Sequence, residues 1–442
     1  MISFRVVAFL IAVVLIAEPA RSQLFPSKMA AWEKWLGIRQ EMRAQIARLD
    51  AYTCIQNISR FEQLEKNDPR HVDTVRMQVT ANKGAEYFSW PGSPNAVASP
   101  RELLQTGLLG TGLFNGYVHS LFVEPGPTHL ELIDSEPGDS SALLHFRFVF
   151  DVLKERMIVR NGEGRASVRA KGEFWVNPAD RLLRRLLIEN AEPAPEINVR
   201  HVRYLLDWAP VKTASGMMLL PQNAEVALAF YSGETHRNNI SLSQCREFRA
   251  ESNLRFDAGP VEATPAETRS IKVPAGGFLP EGLTIPMRLT TPVDISTAAV
   301  GDIFLAEVAR DVKRKGSVLI SAGAIVEGRV RRLEVYDEPV PHTLLWLEFS
   351  ILTDGPTEYV FLAEMVRRDG LLDLVDSVQA FTEGAVRAKG EFGGYREDRR
   401  ETRYYPAVPG VGAFLFRGAK GILRVGYSMD WKTMAARSDD QK

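Results

Sequence analysis

Between Val273 and Val330 the chain reads VPAGGFLPEGLTIPMRL…VGDIFLAEVARDVKRKGSVLISAGAIVEGRV, with apolar and polar residues alternating between breaks at Gly and Pro. A period of two sets successive side chains on opposite faces of an extended strand, so such a stretch buries one face and wets the other. Ile285 to Leu289 and Ile303 to Val308 read as half-buried strands, and Val318 to Ile320 begins another. Lys313-Arg314-Lys315-Gly316 is a charged turn whose glycine can take positive φ, and Ser321-Ala322-Gly323-Ala324 is a second tight turn. Downstream, LLWLEFSILTD and EYVFLAEMV form a hairpin around Gly355-Pro356, and AFLFRG and ILRVGYSMDW flank Ala419-Lys420-Gly421. Short strands at this spacing predict a small β-barrel or sandwich over residues 272–435, followed by a disordered tail at 436–442.

A chain of 442 residues exceeds one ordinary core, so two domains are expected. Its 45% hydrophobic and 25% charged content is that of a globular protein, and a net charge of −1 supplies no field for nucleic acid or an anionic membrane. Arg5 precedes the apolar run Val6–Ala17, and Pro19 and Ala20-Arg21-Ser22 follow it. That is the pattern of a cleaved export signal at residues 1–22, because the run is shorter than the roughly 20 residues that span a bilayer. No cysteine follows the run as a lipid anchor would require, and no other stretch is apolar enough for a transmembrane segment in the mature chain. The expected location is periplasmic or secreted.

Export gives meaning to two cysteines, Cys54 in AYTCIQNISRF and Cys245 in SLSQCREFRAES. An oxidising compartment permits one disulfide between them; two buried free thiols are the alternative. They lack the CxxC spacing of a redox motif, and two isolated cysteines make a poor metal site.

Residues 23–257 read as a separate domain. Met29, Trp32, Leu36, Met42, Ile46 and Leu49 recur near helical spacing after Ser27, a candidate cap, and Trp32 and Trp35 read as core anchors. TCIQNISRFEQLE and TVRMQVTANKGAEYFSW then alternate as strands. Ser99-Pro100 marks a second helix reaching toward Phe122, interrupted by Gly107, Gly110, Gly112 and Gly116. HLELIDSE, SALLHFRFVFDVL, RMIVRN, ASVRAKGEFWVNPADRLLRRLLIEN, VRHVRYLLDWAPV and MMLLPQNAEVALAFYS follow as strands. The fold class is therefore mainly β (α+β): a curved antiparallel sheet with helices packed on one face, then a small C-terminal β-barrel. Residues 258–271, rich in Pro, Ala, Thr and Glu, read as a linker.

The leading helix, the meander, FWVNPADRLLRRLLIEN and MMLLPQNAEV resemble the periplasmic lipoprotein-carrier fold of LolA type, over about half the chain. That resemblance implies a curved sheet around an apolar cavity plugged by helices, with a lipid or lipoprotein acyl chain as ligand; it assigns no ligand residue. In wording the chain also resembles exported proteins of soil bacteria, of acidobacterial type, that carry a YxCxQ strand after the first helix. LPEGLTIPMRL, VGDIFLAEV and VLISAGAIVEGRV are similar to the β-barrel of TrbI-type conjugation scaffold proteins, with Ser321 where that family carries proline. The companion transmembrane and proline-rich segments of that family are missing, so the resemblance implies the barrel alone. VRAKGEF occurs at Val168–Phe174 and again at Val386–Phe392, and the flanks do not align as a duplication.

The motifs of common chemistry are missing. No HExxH pair, GxSxG elbow, SxxK pair or GxxxxGK[ST] loop occurs, so no catalytic residue, metal site or cofactor is expected. Gly110-Thr111-Gly112…Gly116 lacks the spacing of a dinucleotide turn. His145 and His201 lie in strand patterns and read as satisfied core or rim histidines. Glu131, Asp134, Glu136 and Asp139 surround a Pro-Gly turn and read as a solvated loop. YREDRRETRYY, from Tyr395 to Tyr405, reads as an exposed hairpin of alternating charge, and export argues against a nucleic-acid partner. The sequence thus predicts a non-enzymatic exported envelope protein with an apolar or acyl-bearing ligand in its first domain and an envelope protein partner for its barrel. A structural assembly module without a small ligand is the alternative, and a cell-wall-acting enzyme comes third.

Overall fold

The computed structural model describes residues 24–247, 274–336, 341–368 and 410–435, apart from positions 50, 66, 83–84, 94, 105–106, 111–115, 125, 134–142, 151–155 and 214–215. The export signal, the linker, the tail, the second VRAKGEF, the Tyr395–Tyr405 stretch and Asp134, Glu136 and Asp139 lie outside the described residues.

The protein is mainly β: twenty-three strands and two α-helices occur among the described residues. Helix α1 spans Leu24–Leu49. Strands β1 (Ala51–Leu64), β2 (Arg70–Asn82) and β3 (Ala85–Ser89) precede helix α2 (Gly116–Phe122). Then come β4 (His129–Ile133), β5 (Leu144–Val149), β6 (Arg156–Asn161), β7 (Gly164–Val176), β8 (Leu183–Asn190), β9 (Val199–Thr213), β10 (Gly216–Phe230) and β11 (Glu234–Glu247). The C-terminal part adds β12 (Thr284–Leu289), β13 (Val293–Asp294), β14 (Ile303–Val308), β15 (Val312–Arg314), β16 (Ser317–Ile320), β17 (Ile325–Tyr336) and β18 (His342–Asp354). It closes with β19 (Thr357–Val360), β20 (Ala363–Arg368), β21 (Val411–Arg417), β22 (Ile422–Leu423) and β23 (Ser428–Thr433).

The chain packs as two compact units that do not follow chain order. Of the described residues, those within 1–51, 83–85 and 112–225 form one unit, and those within 52–82, 86–111 and 226–442 form the other. Where a sequential reading separates 23–257 from 272–435, packing groups β1, β2, β3 and β11 with the C-terminal strands.

In the first unit the strand order is β10-β9-β8-β7-β5-β4, with β10 belonging to it as far as Glu225 and β6 pairing β7. Along β7 exposed or half-buried residues alternate with the buried Val168, Ala170, Phe174 and Val176, and β8 buries Leu183, Leu186 and Ile188. The apolar face so formed is covered by α1, whose Trp35, Ile38, Met42 and Ile46 are buried. The helix starts at Leu24, ahead of Ser27, so that serine lies within it rather than capping it. Trp32 is 55% exposed and so is not a core anchor. It lies one turn from Leu36, itself 47% exposed, on a flank that the sheet does not reach. The second expected helix is also shorter than the sequence suggests. Ser99 caps only a 3-10 turn over Pro100–Glu102, with Glu102 closing a capping box. Gly107 at φ +88° interrupts any continuation toward α2.

In the second unit β3, β2, β1 and β11 are neighbours in that order. A separate antiparallel sheet runs β19-β18-β17-β14-β12-β23-β20, with β21 also pairing β18. Strand β18 is buried at six successive positions, His342–Leu347, because both of its faces are covered. On one face Leu344 and Trp346 pack with Tyr336, Val411, Ala413 and Leu415. This explains why LLWLEF reads as a continuous apolar run instead of alternating. On the other, Phe349 meets Phe304 and Trp431 edge-on at 5.0 Å each. The turn between β15 and β16 takes positive φ at Gly316, as the sequence predicts, and also at Lys315, which it did not. EYVFLAEMV is broken at Phe361-Leu362 into β19 and β20 rather than running as one strand.

Strand β2 joins these two sheets. The amide of Arg76 donates to the carbonyl of Val300 at 2.8 Å, and that of Val300 to Thr74 at 2.8 Å. The Arg76 guanidinium pairs with Asp302. Gly301, at φ +99°, fits because a Cβ there would stand 2.3 Å from the Arg76 carbonyl.

Candidate functional site

Two places in the molecule have the character of a site, one in each unit. The first is the helix-covered aromatic face. Strand pairing sets Phe146 opposite Phe174 and Phe148 opposite Gly172. The absent side chain at Gly172 makes room, since a Cβ would lie 2.7 Å from the Phe148 ring. The Phe146 and Phe174 rings stack at 4.9 Å. Over them, Trp35 of α1 lies 5.5 Å from Phe122 of α2 and 5.7 Å from Phe174. Two arginines tie the helices together. Arg39 donates from Nε to the Phe122 carbonyl at 3.0 Å and from Nη2 to Val123 at 2.6 Å; Arg43 makes the same two bonds at 3.2 and 3.1 Å. Cations are well placed there, because the last carbonyls of α2 have no partner within the helix. Burial, and after it the neighbouring Arg43 charge, lowers the pKa of Arg39. Tyr204 of β9 lies 5.6 Å from Tyr117 of α2, and burial raises its phenol to about 12.

The second is a polar cavity of about 140 Å³ inside the other unit. Arg60, Phe61 and Glu62 of β1 line it, with Arg70 and Val72 of β2 and His236 and Asn238 of β11. Gly107 and Leu108 form a rim, and Arg332, Glu334 and Tyr336 of β17 face them. Arg60 is a bidentate partner of the buried Asp73, with Nε to Oδ1 at 2.6 Å. Arg70 bonds Glu62 at 2.6 Å and the Val335 carbonyl at 2.8 Å. Glu334 accepts from Arg332 Nε at 2.5 Å and from the Tyr336 hydroxyl. His236 meets Glu234 at 2.7 Å, and Asn238 holds the rim by donating to the Leu108 carbonyl at 2.7 Å. Sequence reasoning missed this site because its walls come from four distant segments; the trace it left is Arg60, an arginine in step with Cys54 and Ile58 on the face that alternation keeps dry.

Cys54 and Cys245 are bonded to each other, with Cα atoms 4.1 Å apart. They bridge the neighbouring strands β1 and β11 where the register shifts, and Gln244 absorbs the extra residue at φ +52°. The expected histidines are satisfied. His145 meets Glu173 at 2.9 Å and stacks on Trp175 at 4.4 Å, and His201 meets Glu189 at 3.4 Å. Glu131 faces Arg147 at 3.5 Å. Among the described residues no group of three His, Cys, Asp or Glu side chains is placed to hold a metal ion, and no helix is long and apolar enough to cross a membrane.

No family model matches the chain, and no curated protein matches it. Two solved structures are similar in part. A LolA superfamily protein from Nitrosomonas europaea shares 12% identity at a TM-score of 0.23, covering 48% of this chain and 93% of its own. A DUF1329 family protein from Desulfovibrio piger shares 13% identity at a TM-score of 0.29, covering 51% of this chain and 97% of its own.

Proposed function

We propose that this chain is a non-enzymatic exported protein of the cell envelope that takes an apolar or acyl-bearing ligand beneath α1 and α2. The observation that supports the reading is an apolar sheet face covered by two helices. The sheet keeps its own backbone ladder, and α1 meets α2 through ring contacts and the four bonds of Arg39 and Arg43. Lifting α1 exposes Trp35, Ile38, Met42 and Ile46, at about 2 kcal/mol each or roughly 8 kcal/mol together. An acyl chain of ~16 carbons gains about 0.8 kcal/mol per buried CH₂, roughly 13 kcal/mol before the cost of ordering it. The two are of one order, so ligand entry can offset lid opening. The Cys54–Cys245 bridge suits an oxidising compartment outside the cytoplasm. The eight-stranded C-terminal sheet, read as a TrbI-type barrel, is the part we assign to an envelope protein partner, with no role for nucleic acid.

Delipidated protein titrated with a fluorescent fatty acid should bind it saturably, and replacing Arg39 and Arg43 by Ala should speed uptake. A signal that rises linearly without saturation removes the carrier reading.

One observation favours the assembly-module alternative. The face beneath α1 is filled by Trp35, Phe122 and Phe174 in mutual ring contact. Trp35→Ala separates the two readings. A carrier gains uptake from the enlarged space, whereas an assembly module only loses stability.

A further inference from the structure

We propose that the polar cavity of the second unit binds one neutral sugar ring, free or as the terminal unit of a glycan. Its volume of about 140 Å³ is close to that of a cavity that holds benzene, so it takes the ring of a pyranose with some of the hydroxyls left at the rim.

Charge argues for neutrality. The Arg60, Arg70, Arg332 and His236 side chains are matched by Asp73, Glu62, Glu334 and Glu234 at hydrogen-bond distance. A ligand ion would meet a potential of nearly cancelling sign and would have to disrupt an existing pair. A polyol needs no such exchange. Arg332 commits its Nε to Glu334 and lays its guanidinium 4.9 Å from the Trp346 ring, leaving both terminal nitrogens without a protein acceptor among the described residues. Glu62 meets Arg70 through Oε2, which leaves Oε1 as an acceptor. Planar donors and acceptors thus belong to residues that line one small space, a set that vicinal hydroxyls satisfy pairwise. The Phe61 and Tyr336 rings add apolar wall to the same space, suited to the C–H face of a pyranose. Gly107 sets the rim. It takes φ +88°, and a Cβ there would stand 2.2 Å from Arg60 Nη1.

Saturation-transfer NMR on the full chain tests this with glucose, galactose and N-acetylglucosamine as probes, and with acetate, inorganic phosphate and glycine as charged comparators. At least one sugar should bind with a Kd of a few millimolar, as expected of a ligand this small. Arg332→Ala, at a half-exposed position, should weaken it about tenfold, the loss typical of a hydrogen bond to a charged group. Leu108→Trp should fill the cavity and abolish transfer, with the thermal midpoint of both variants reporting that the fold is kept. Binding of N,N′-diacetylchitobiose alone, with transfer confined to one terminal ring, supports the glycan source. No transfer to any sugar, transfer that survives both substitutions, or binding of the charged comparators in place of sugars overturns the proposal.

Discussion

The carboxylate of Asp73 is gripped by Nε and Nη2 of Arg60, and the pair lies almost wholly out of solvent, with side-chain exposures of 1% and 10%. The Asp73 carboxylate, with Glu334 and Glu62, raises the pKa of Arg60 in spite of its burial, so the guanidinium stays charged whatever the solvent pH. Removing one partner leaves the other charge buried alone, which typically costs 3–5 kcal/mol, whereas replacing both by apolar groups is often neutral. Asp73→Ala should therefore lower stability by about 4 kcal/mol in urea unfolding. Combining Asp73→Leu with Arg60→Met should recover most of that loss. Equal damage from the double and single variants would show that the pair holds this part of the unit by its geometry rather than by charge balance.

The bridge between β1 and β11 makes a second prediction. It links residues 191 apart in sequence, so reduction should destabilise the protein by up to about 5 kcal/mol on the loop-entropy account. Cys54 is 1% exposed, which shields the bond from reductant while the strands remain paired. Urea midpoints with and without dithiothreitol should diverge, and reduction in native buffer should be slow until denaturant is added. A Cys54→Ala, Cys245→Ala variant with an unchanged midpoint would count against this account.

Gly172 lies inside the first VRAKGEF, where a Cβ would stand 2.1 Å from the Leu187 carbonyl and 2.7 Å from the Phe148 ring. Neither the backbone nor the packed ring can yield cheaply, so Gly172→Ala should cost about 2–3 kcal/mol through overpacking. Gly116, the first residue of α2, has nothing within 4 Å of such a Cβ. Gly116→Ala should be neutral or stabilise by up to about 1 kcal/mol. Thermal midpoints of the two variants measure the contrast directly.

Period-two alternation made the strands legible, because β7, β8 and β12 each bury one face. It was silent about which strands pack together. Nothing local to Arg76 announces Asp302, and without that docking the cavity has no second wall. Helical spacing located α1 but overstated its buried stripe. Trp35 and Trp32 carry the same side chain three residues apart, and only Trp35 lies over the sheet. The cysteines were legible as a pair permitted by the compartment, while the bulge at Gln244 that brings them together is a matter of register.

Tyr204 offers a probe of the lid itself. Its phenol is raised from 10.0 to about 12, chiefly by burial and against a hydrogen bond from Tyr117 that lowers it. Between pH 10 and about 12 the folded state keeps a proton that the unfolded chain has released, so stability is full below pH 10 and falls as pH rises through that window. That window corresponds to about 3 kcal/mol, an upper figure because the Tyr204 side chain keeps some contact with solvent, which screens part of the effect. Subtracting the phenolate absorbance of Tyr204→Phe from that of the unmodified protein isolates this group from the other tyrosines. If the arginine ties between α1 and α2 hold both helices closed over the sheet, replacing Arg39 and Arg43 by Ala should return the Tyr204 titration toward 10, because Tyr117 sits on α2. A titration that stays near 12 in that variant would mean that the helices remain seated without their arginine ties, and the carrier reading would lose its moving part.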